Sequence, residues 1–346
     1  MDCRKAKGLV LSDYTDGVLK GRVAVITGAG RGLGRTFALA MAHEGAKILV
    51  NDLGCEVNGT GSSKEPADSV VAEIKALGGE AVANYESIAN SAGAQRIMDH
   101  ARERFGRIDI LVNNAGTLTH GFIWEIPDSD WDAGVQTNVN GYFYCTRAAA
   151  KVMKEQRYGR IINVSSGAGL GVRTETLYAT VKEAQIGFTR TVAKDMAEFG
   201  VTCNALRPRA AATRFAFVQS LWDARKKTLP ADEFKAWEDN RAAQSPEKIA
   251  PLAVYLASEA SDHVSGCVFD MIQDYIALYD DPPRFARTVA GQDGDWKVQD
   301  LERVLPKTLL PAAAELTTVV LRRMTPDAQS WEFKNGELKS VPPQLR

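Results

Sequence analysis

From Gly21 onward the apolar positions of the chain follow two alternating rhythms. Short, nearly continuous runs rich in β-branched residues have the length and composition of buried strands. They are VAVIT (23–27), KILVND (47–52), IDILVNNAG (108–116), RIINVSS (160–166), VTCNALRP (201–208) and GCVFDMI (266–272), the last expected to close the sheet. Between them, residues 35–44, 66–77, 92–105 and 177–199 carry apolar side chains every three or four positions. That is the period of an amphipathic helix. Strands apolar on both faces, alternating with helices, predict an α/β fold. The expected form is a Rossmann-like, doubly wound parallel sheet with helices on both faces and right-handed crossovers.

Two segments break the rhythm. Residues 54–65, GCEVNGTGSSKE, are too polar and too rich in Gly and Ser for a core element and read as a loop. After about Tyr279 the alternation stops. The tail opens on Asp281-Pro282-Pro283 and offers a helical pattern over Pro311–Arg323. It ends in WEFKNGELKSV, where Asn335-Gly336 between extended runs predicts a hairpin. The organisation expected is an N-terminal arm (1–19), a sheet domain (20–278) and a C-terminal extension (279–346).

Composition narrows the function classes. With 45% hydrophobic and 25% charged residues, the 346-residue chain has ordinary globular character. Its 42 Lys and Arg nearly cancel 43 Asp and Glu, so no global charge draws it to nucleic acid or to an anionic membrane. No apolar run approaches the roughly 20 residues that span a bilayer, and MDCRKAKGLVLSDYTDG lacks the pattern of a signal peptide. Five scattered cysteines (3, 55, 145, 203, 267) without a CxxC favour a reduced, cytoplasmic setting. Four distant histidines (43, 100, 120, 263) show no metal-ligand spacing, and no metal is expected.

The chemistry begins at VAVITGAGRGLGRTFALAMA, which sets glycines 28, 30, 32 and 34 between a strand and a helix. Gly28 would permit the tight turn, Gly32 the approach of a pyrophosphate, and Gly34 close helix–strand packing. The phosphates would lie at the helix N-terminus. Asp52 follows at the end of the second strand, where a carboxylate bonds the free ribose hydroxyls of NAD and repels the 2′-phosphate of NADP. Arg31 is a contrary signal, since a cation could pair with that phosphate. The expected cofactor is NAD.

Further along, YATVK places Tyr178 and Lys182 one helical turn apart, on one face. Alone, such a pair is usually an amphipathic surface. Here the serine pair Ser165-Ser166 ends the preceding strand. A phenol is a weak base near neutrality, and a neighbouring ammonium stabilises its anion.

The segments T27-G28-A29-G30-R31-G32-L33-G34, N113-N114-A115-G116 and Y178-A179-T180-V181-K182 together resemble the short-chain dehydrogenase/reductase family. The likeness runs over roughly residues 20–276. VNDLG (50–54), its Gly-rich insertion and AVANYES (81–87) are similar to the (3R)-hydroxyacyl-CoA dehydrogenase domains of peroxisomal multifunctional enzymes. The resemblance implies an NAD-dependent interconversion of a secondary alcohol and a ketone. Cofactor contacts would fall on Gly28, Arg31, Gly32, Leu33, Gly34, Asp52, Glu86, Ser87, Asn114, Ala115, Gly116 and Pro208. Tyr178 would take the alcohol proton, and Lys182 would also bind the nicotinamide ribose. A serine would hydrogen-bond the substrate oxygen, and Asn138 in TNVNG would hold a relay water. A homodimer or homotetramer is implied.

Three departures stand out. The Ser166–Tyr178 interval is one position shorter than the family's usual one. Ser165 fits that spacing, whereas Ser166 fits the usual second place in the pair. Strand register favours Ser166, because one step along a strand reverses the side chain's face while loops absorb deletions. Glu86 replaces an Asp, and Pro208-Arg209 replaces the common Pro-Gly.

On the substrate side, the resemblance implies that 210–244, within the domain at 20–278, is a substrate lid, where Phe215, Phe217, Leu221, Trp222, Phe234 and Trp237 offer an apolar wall or plain packing. Arg207, Arg209, Arg214, Arg225, Lys226 and Lys227 offer partners for CoA phosphates or a solvated face. A hydroxysteroid or other cyclic alcohol is the alternative substrate. A non-catalytic subunit is the alternative of a different class. Ser245-Pro246 is expected to start the next helix.

Overall fold

The six apolar runs supply six strands of one eight-stranded sheet, and Ala81–Asn84 and Tyr275–Leu278 add two at its edges. The computed structural model describes residues 17–56, 59–210, 226, 230–272, 275–280, 330–334 and 337–341, which divide after Tyr279 into two compact units. In the first unit the strands are β1 (Val23–Thr27), β2 (Lys47–Asn51), β3 (Ala81–Asn84), β4 (Ile110–Asn113), β5 (Gly159–Val164), β6 (Val201–Arg209), β7 (Val268–Ile272) and β8 (Tyr275–Leu278). Their spatial order is β3-β2-β1-β4-β5-β6-β7-β8. All neighbours run parallel except β7 and β8.

GCVFDMI is therefore not the last strand. The chain reverses beyond Ile272, and YIAL returns antiparallel, with Ile272 opposite Tyr275. Four residues are too few to show a period, and Tyr275, Ile276 and Leu278 are exposed on the sheet edge.

The helices are α1 (Gly32–His43), α2 (Glu65–Ala76), α3 (Ser91–Phe105), α4 (Asp128–Val135), α5 (Gly141–Gln156) and α6 (Thr176–Met196), followed by helices Ala231–Ala243 and Ala250–Ala257. Alternate strand residues feed two cores, as the pleat requires. Ile26, Ile48 and Val112 pack with Phe37, Met41, Ile74 and Leu256 on one face. Val25, Leu49 and Leu111 pack with Ile97, Met98, Cys145 and Met153 on the other. Leu19, assigned to the arm in the sequence reading, is fully buried in the first core.

Two further expectations are refined. Ser245-Pro246 opens a 3-10 turn (Pro246–Lys248), the Ser245 side chain makes no capping bond, and the α-helix begins only at Ala250. In the second unit, Ser330–Lys334 pairs antiparallel with Glu337–Val341, the two arms expected around Asn335-Gly336. The helical pattern at Pro311–Arg323 lies outside the described residues.

Strand progression reverses between β1 and β4, which opens a crevice at the C-terminal ends of the strands. There the sheet closes on buried polar side chains rather than on aliphatic ones. Thr27, Asn51 and Asn84 stand side by side on β1, β2 and β3, and Asn113 faces Asn163 on β4 and β5. Asn51 Nδ2 donates to Asn84 Oδ1 at 3.0 Å, and Asn113 Nδ2 donates to Asn163 Oδ1 at 2.9 Å.

At the opposite end, the fully buried Asp109 accepts the Val23 N–H at 2.9 Å and the Arg107 guanidinium at 2.6 and 2.7 Å. Arg22 adds a contact at 3.3 Å. Removing the carboxylate leaves the buried Val23 N–H and the Arg107 guanidinium without this acceptor, while Arg22 keeps Glu259. Asp109→Ala is expected to lower unfolding stability by about 3 kcal/mol, read from urea denaturation.

Candidate active site

The glycine turn between β1 and α1 is shaped by close approach. Gly28 and Gly32 have φ of +62° and +51°, in the region that favours glycine. A Cβ on Gly34 would lie 2.1 Å from the Gly28 carbonyl oxygen, and one on Gly28 would lie 2.7 Å from Ala115 Cα. Thr27 Oγ1 accepts the N–H groups of Asn114 and Ala115 at 3.0 and 3.1 Å, and Asn114 Nδ2 donates to the Thr27 and Gly28 carbonyls. These bonds hold the segments after β1 and β4 together across the switch point. Leu33 packs against the first core.

At the end of β2, Asp52 Oδ2 accepts the Gly30 N–H and Oδ1 the Gly54 N–H, both at 2.7 Å. The carboxylate thus faces the glycine turn. Arg31 Nη1 donates to the Cys55 carbonyl at 3.2 Å, which keeps the cation on the same side. Glu86 is engaged by Arg96 at 2.7 Å, and this ion pair lowers its pKa. Ser87 Oγ accepts the Ala89 N–H at 3.2 Å.

Four side chains from three elements meet beyond this turn. Asn138 lies in a π-helical turn (Gln136–Asn140) between α4 and α5. Its Nδ2 donates to the Gly134 carbonyl at 2.9 Å and to Thr117 at 3.2 Å, while its buried Oδ1 has no partner among the described residues. A Cβ on Gly116 would stand 2.5 Å from that oxygen and 3.8 Å from Lys182 Nζ. Gln185 Nε2 donates to the Asn138 carbonyl at 2.8 Å. Lys182 Nζ donates to the Val164 carbonyl at 2.7 Å and lies 5.5 Å from the centre of the Tyr178 ring.

The two serines point to different places. Ser165 is buried, and its Oγ donates to the Lys182 carbonyl at 2.7 Å. Ser166 Oγ accepts the Ala168 N–H at 3.1 Å, and its hydroxyl lies on the Tyr178 side, where it lowers the pKa of that phenol. The serine that meets the tyrosine is Ser166.

The electrostatics run against one expectation. Burial pushes Tyr178 up to about 12, opposed by the Ser166 hydrogen bond and reinforced by Glu175. Burial lowers Lys182 to about 7. The ammonium therefore does not bring the phenol into working range by itself, because both charged forms lose more hydration than the pair regains.

Several other assignments shift. Arg207, read as a partner for CoA phosphates or part of a solvated face, is 3% exposed and donates to the Ser166 carbonyl at 3.1 Å and to Glu183 at 2.8 Å. Pro208 is half-buried in β6, opposite Met271. Phe215, Phe217, Leu221, Trp222, Arg214, Arg225 and Lys227 lie outside the described residues, while Phe234 is half-buried and Lys226 exposed. Thr27, Gln185 and Tyr142 were not singled out from sequence. The Tyr142 hydroxyl donates to the Val164 carbonyl at 3.1 Å. Their only signal was polarity inside otherwise apolar segments.

The profile of the short chain dehydrogenase family matches residues 22–223. Peroxisomal multifunctional enzyme type 2 of Drosophila melanogaster is 41% identical over 251 residues, which is 72% of this chain and 39% of that protein. The chain thus spans well under half the length of that relative. The 3-oxoacyl-[acyl-carrier-protein] reductase of Synechocystis is 36% identical over 73% of this chain and 96% of its own length. Among solved structures, a short chain dehydrogenase from Mycobacterium avium is 33% identical with a TM-score of 0.69, covering 87% of this chain and 96% of its own.

The buried lysine gives the site a measurable signature. Its pKa is about 7 in the folded chain, against an ordinary 10.5, so between those values the unfolded chain binds more protons. Lys182 therefore adds stability as pH rises through this window and withdraws it as pH falls towards 7. Urea unfolding should show the wild type gaining stability relative to Lys182→Met as pH rises from 7 towards 10.5.

Proposed function

The chain belongs to the short-chain dehydrogenase family, and from that premise we propose that it oxidises a (3R)-hydroxyacyl-CoA to the 3-ketoacyl thioester with NAD. The observation that carries this reading is the meeting of Ser166, Tyr178, Lys182 and the free Oδ1 of Asn138 beside the glycine turn. The thioester class is supported by the Synechocystis relative, which is named a 3-oxoacyl-[acyl-carrier-protein] reductase.

The residues at the turn fit a dinucleotide. Gly28 and Gly34 leave no room for a side chain, as close backbone packing beneath a pyrophosphate requires. Asp52 faces Gly30, where its charge favours free ribose hydroxyls over a 2′-phosphate. Arg31, Leu33, Asn114, Ala115, Gly116 and Pro208 would line the remaining contacts, with Glu86 and Ser87 on the adenine side. Bound NAD supplies the hydride acceptor.

The chain's own residues manage the proton and the orientation. Ser166 holds the substrate oxygen beside the Tyr178 hydroxyl, and Tyr178 takes the alcohol proton as general base. With its pKa near 12, Tyr178 is protonated at neutral pH, so proton loss is tied to proton acceptance elsewhere. Lys182, poised near 7, passes a proton readily, and Asn138 Oδ1 offers an acceptor for a relay water.

Two outcomes test this reading. Purified chain with (3R)-hydroxybutyryl-CoA and NAD should produce NADH, and Tyr178→Phe should slow it by roughly 10²–10⁴-fold while NAD binding persists. Full turnover in that variant would overturn the tyrosine's role. Asp52→Asn keeps an acceptor for Gly30 but removes the charge, with Arg31 still in place. It should cut the NAD over NADP preference in kcat/KM by about tenfold, or ~1.4 kcal/mol; an unchanged ratio would remove Asp52 from cofactor choice.

A further inference from the structure

The turn after Ser166 is tied within itself by the Ala168 N–H to Ser166 Oγ at 3.1 Å and the Gly169 N–H to the Ser166 carbonyl at 3.2 Å. Residues Gly167–Leu170 form a 3-10 turn with no buried member, and Leu170 is largely exposed. Two residues before Tyr178's helix, Thr174 takes a φ of +69°, unfavourable for a β-branched residue. Yet this segment must hold Ser166 against Tyr178.

A further anchor lies beneath. Arg207 enters from β6 with a buried guanidinium. Nη1 donates to the Ser166 carbonyl at 3.1 Å, and Nη2 donates to Glu183 Oε2 at 2.8 Å, one residue past Lys182. A Cβ on Gly169 would lie 2.7 Å from Glu183 Oε2 and 2.9 Å from Arg207 Nη1, so the turn rests directly on this ion pair. The guanidinium carbon stands 5.1 Å from the centre of the Tyr279 ring, and Tyr279 in turn donates to Asp270 Oδ2 at 3.0 Å. One planar fork therefore ties the end of β5 to α6, braced against groups from β7 and the end of β8.

We propose that Arg207 is a positioning residue for the Ser166 hydroxyl. It holds the Ser166 peptide from the carbonyl side, so that Oγ on the same residue meets Tyr178. With Glu183 it adds, to the loop's own backbone bonds, an anchor from β6 and α6. The assignment rests on Ser166 acting on substrate as proposed above.

The experiment uses the full chain with (3R)-hydroxybutyryl-CoA and NAD as probes. Arg207→Met should lower kcat roughly 10- to 100-fold while the Michaelis constant for NAD stays within about twofold. Arg207→Lys should recover only part, since one ammonium cannot span both acceptors in the same fork. In a Ser166→Ala background, Arg207→Met should cost nothing further. An equal loss in both backgrounds, or wild-type kcat in folded Arg207→Met, overturns the proposal.

A second readout needs no turnover. With ¹³Cζ-labelled tyrosine, the resonance lost in Tyr178→Phe identifies Tyr178. Arg207→Met should move it to the position seen in Ser166→Ala, and an unmoved resonance overturns the proposal. Absence of NADH formation by the wild type would refute the substrate reading alone. If Arg207→Met does not fold, Gly169→Ala displaces the same ion pair and should give the same shift; no shift in that variant is equally decisive against it.

Discussion

A parallel sheet covered on both faces must close its C-terminal edge without leaving polar groups dry. Here the closure is a row of short amide and hydroxyl side chains, and the site is built upon it. Thr27 satisfies two backbone N–H groups of the segment after β4, and Asn113 joins Asn163 to Thr146. Each bond is worth only about 1 kcal/mol net, whereas an unmade one costs more. Row and crevice therefore stand or fall together. The Val164 carbonyl ends the row on β5, and it receives both Lys182 Nζ and the Tyr142 hydroxyl.

Much of this architecture was legible in the sequence, for physical reasons. Buried parallel strands read as apolar runs, and helices that cover them read as a 3.6-residue period. β3 and β8 escaped because each has only four residues at an edge of the sheet, too few to show a period. The glycine turn and the Tyr178–Lys182 spacing were legible because local geometry dictates both. That Ser165 and Ser166 point to different places was also readable, since strand register fixes which face a side chain takes. Arg207 was misread because composition cannot tell a buried cation from a solvated one. Its acceptors, the Ser166 carbonyl and Glu183, are distant in sequence and are brought together only by the fold.

Local proximity also misled about charge. From sequence, a lysine one turn from a tyrosine suggests a phenol made more acidic. In the folded chain each group sits where water is scarce, and the tyrosine rises while the lysine falls. A pair poised in this way favours neutral forms of both members. Charge enters such a site more readily with a ligand than by titration from solvent.

The π-helical turn at Gln136–Asn140 divides one long helical stretch into two halves with separate duties. α5 buries Tyr142, Cys145, Ala149, Val152 and Met153 along a continuous stripe, whereas α4 buries only Gly134, against Leu177 of α6. The extra residue in the turn uncouples the angular phase of the two halves. A substitution along α4 can thus leave the buried stripe of α5 unrotated. The fold carries a built-in joint between a half that meets its neighbours at one glycine and a half keyed into the core along its length.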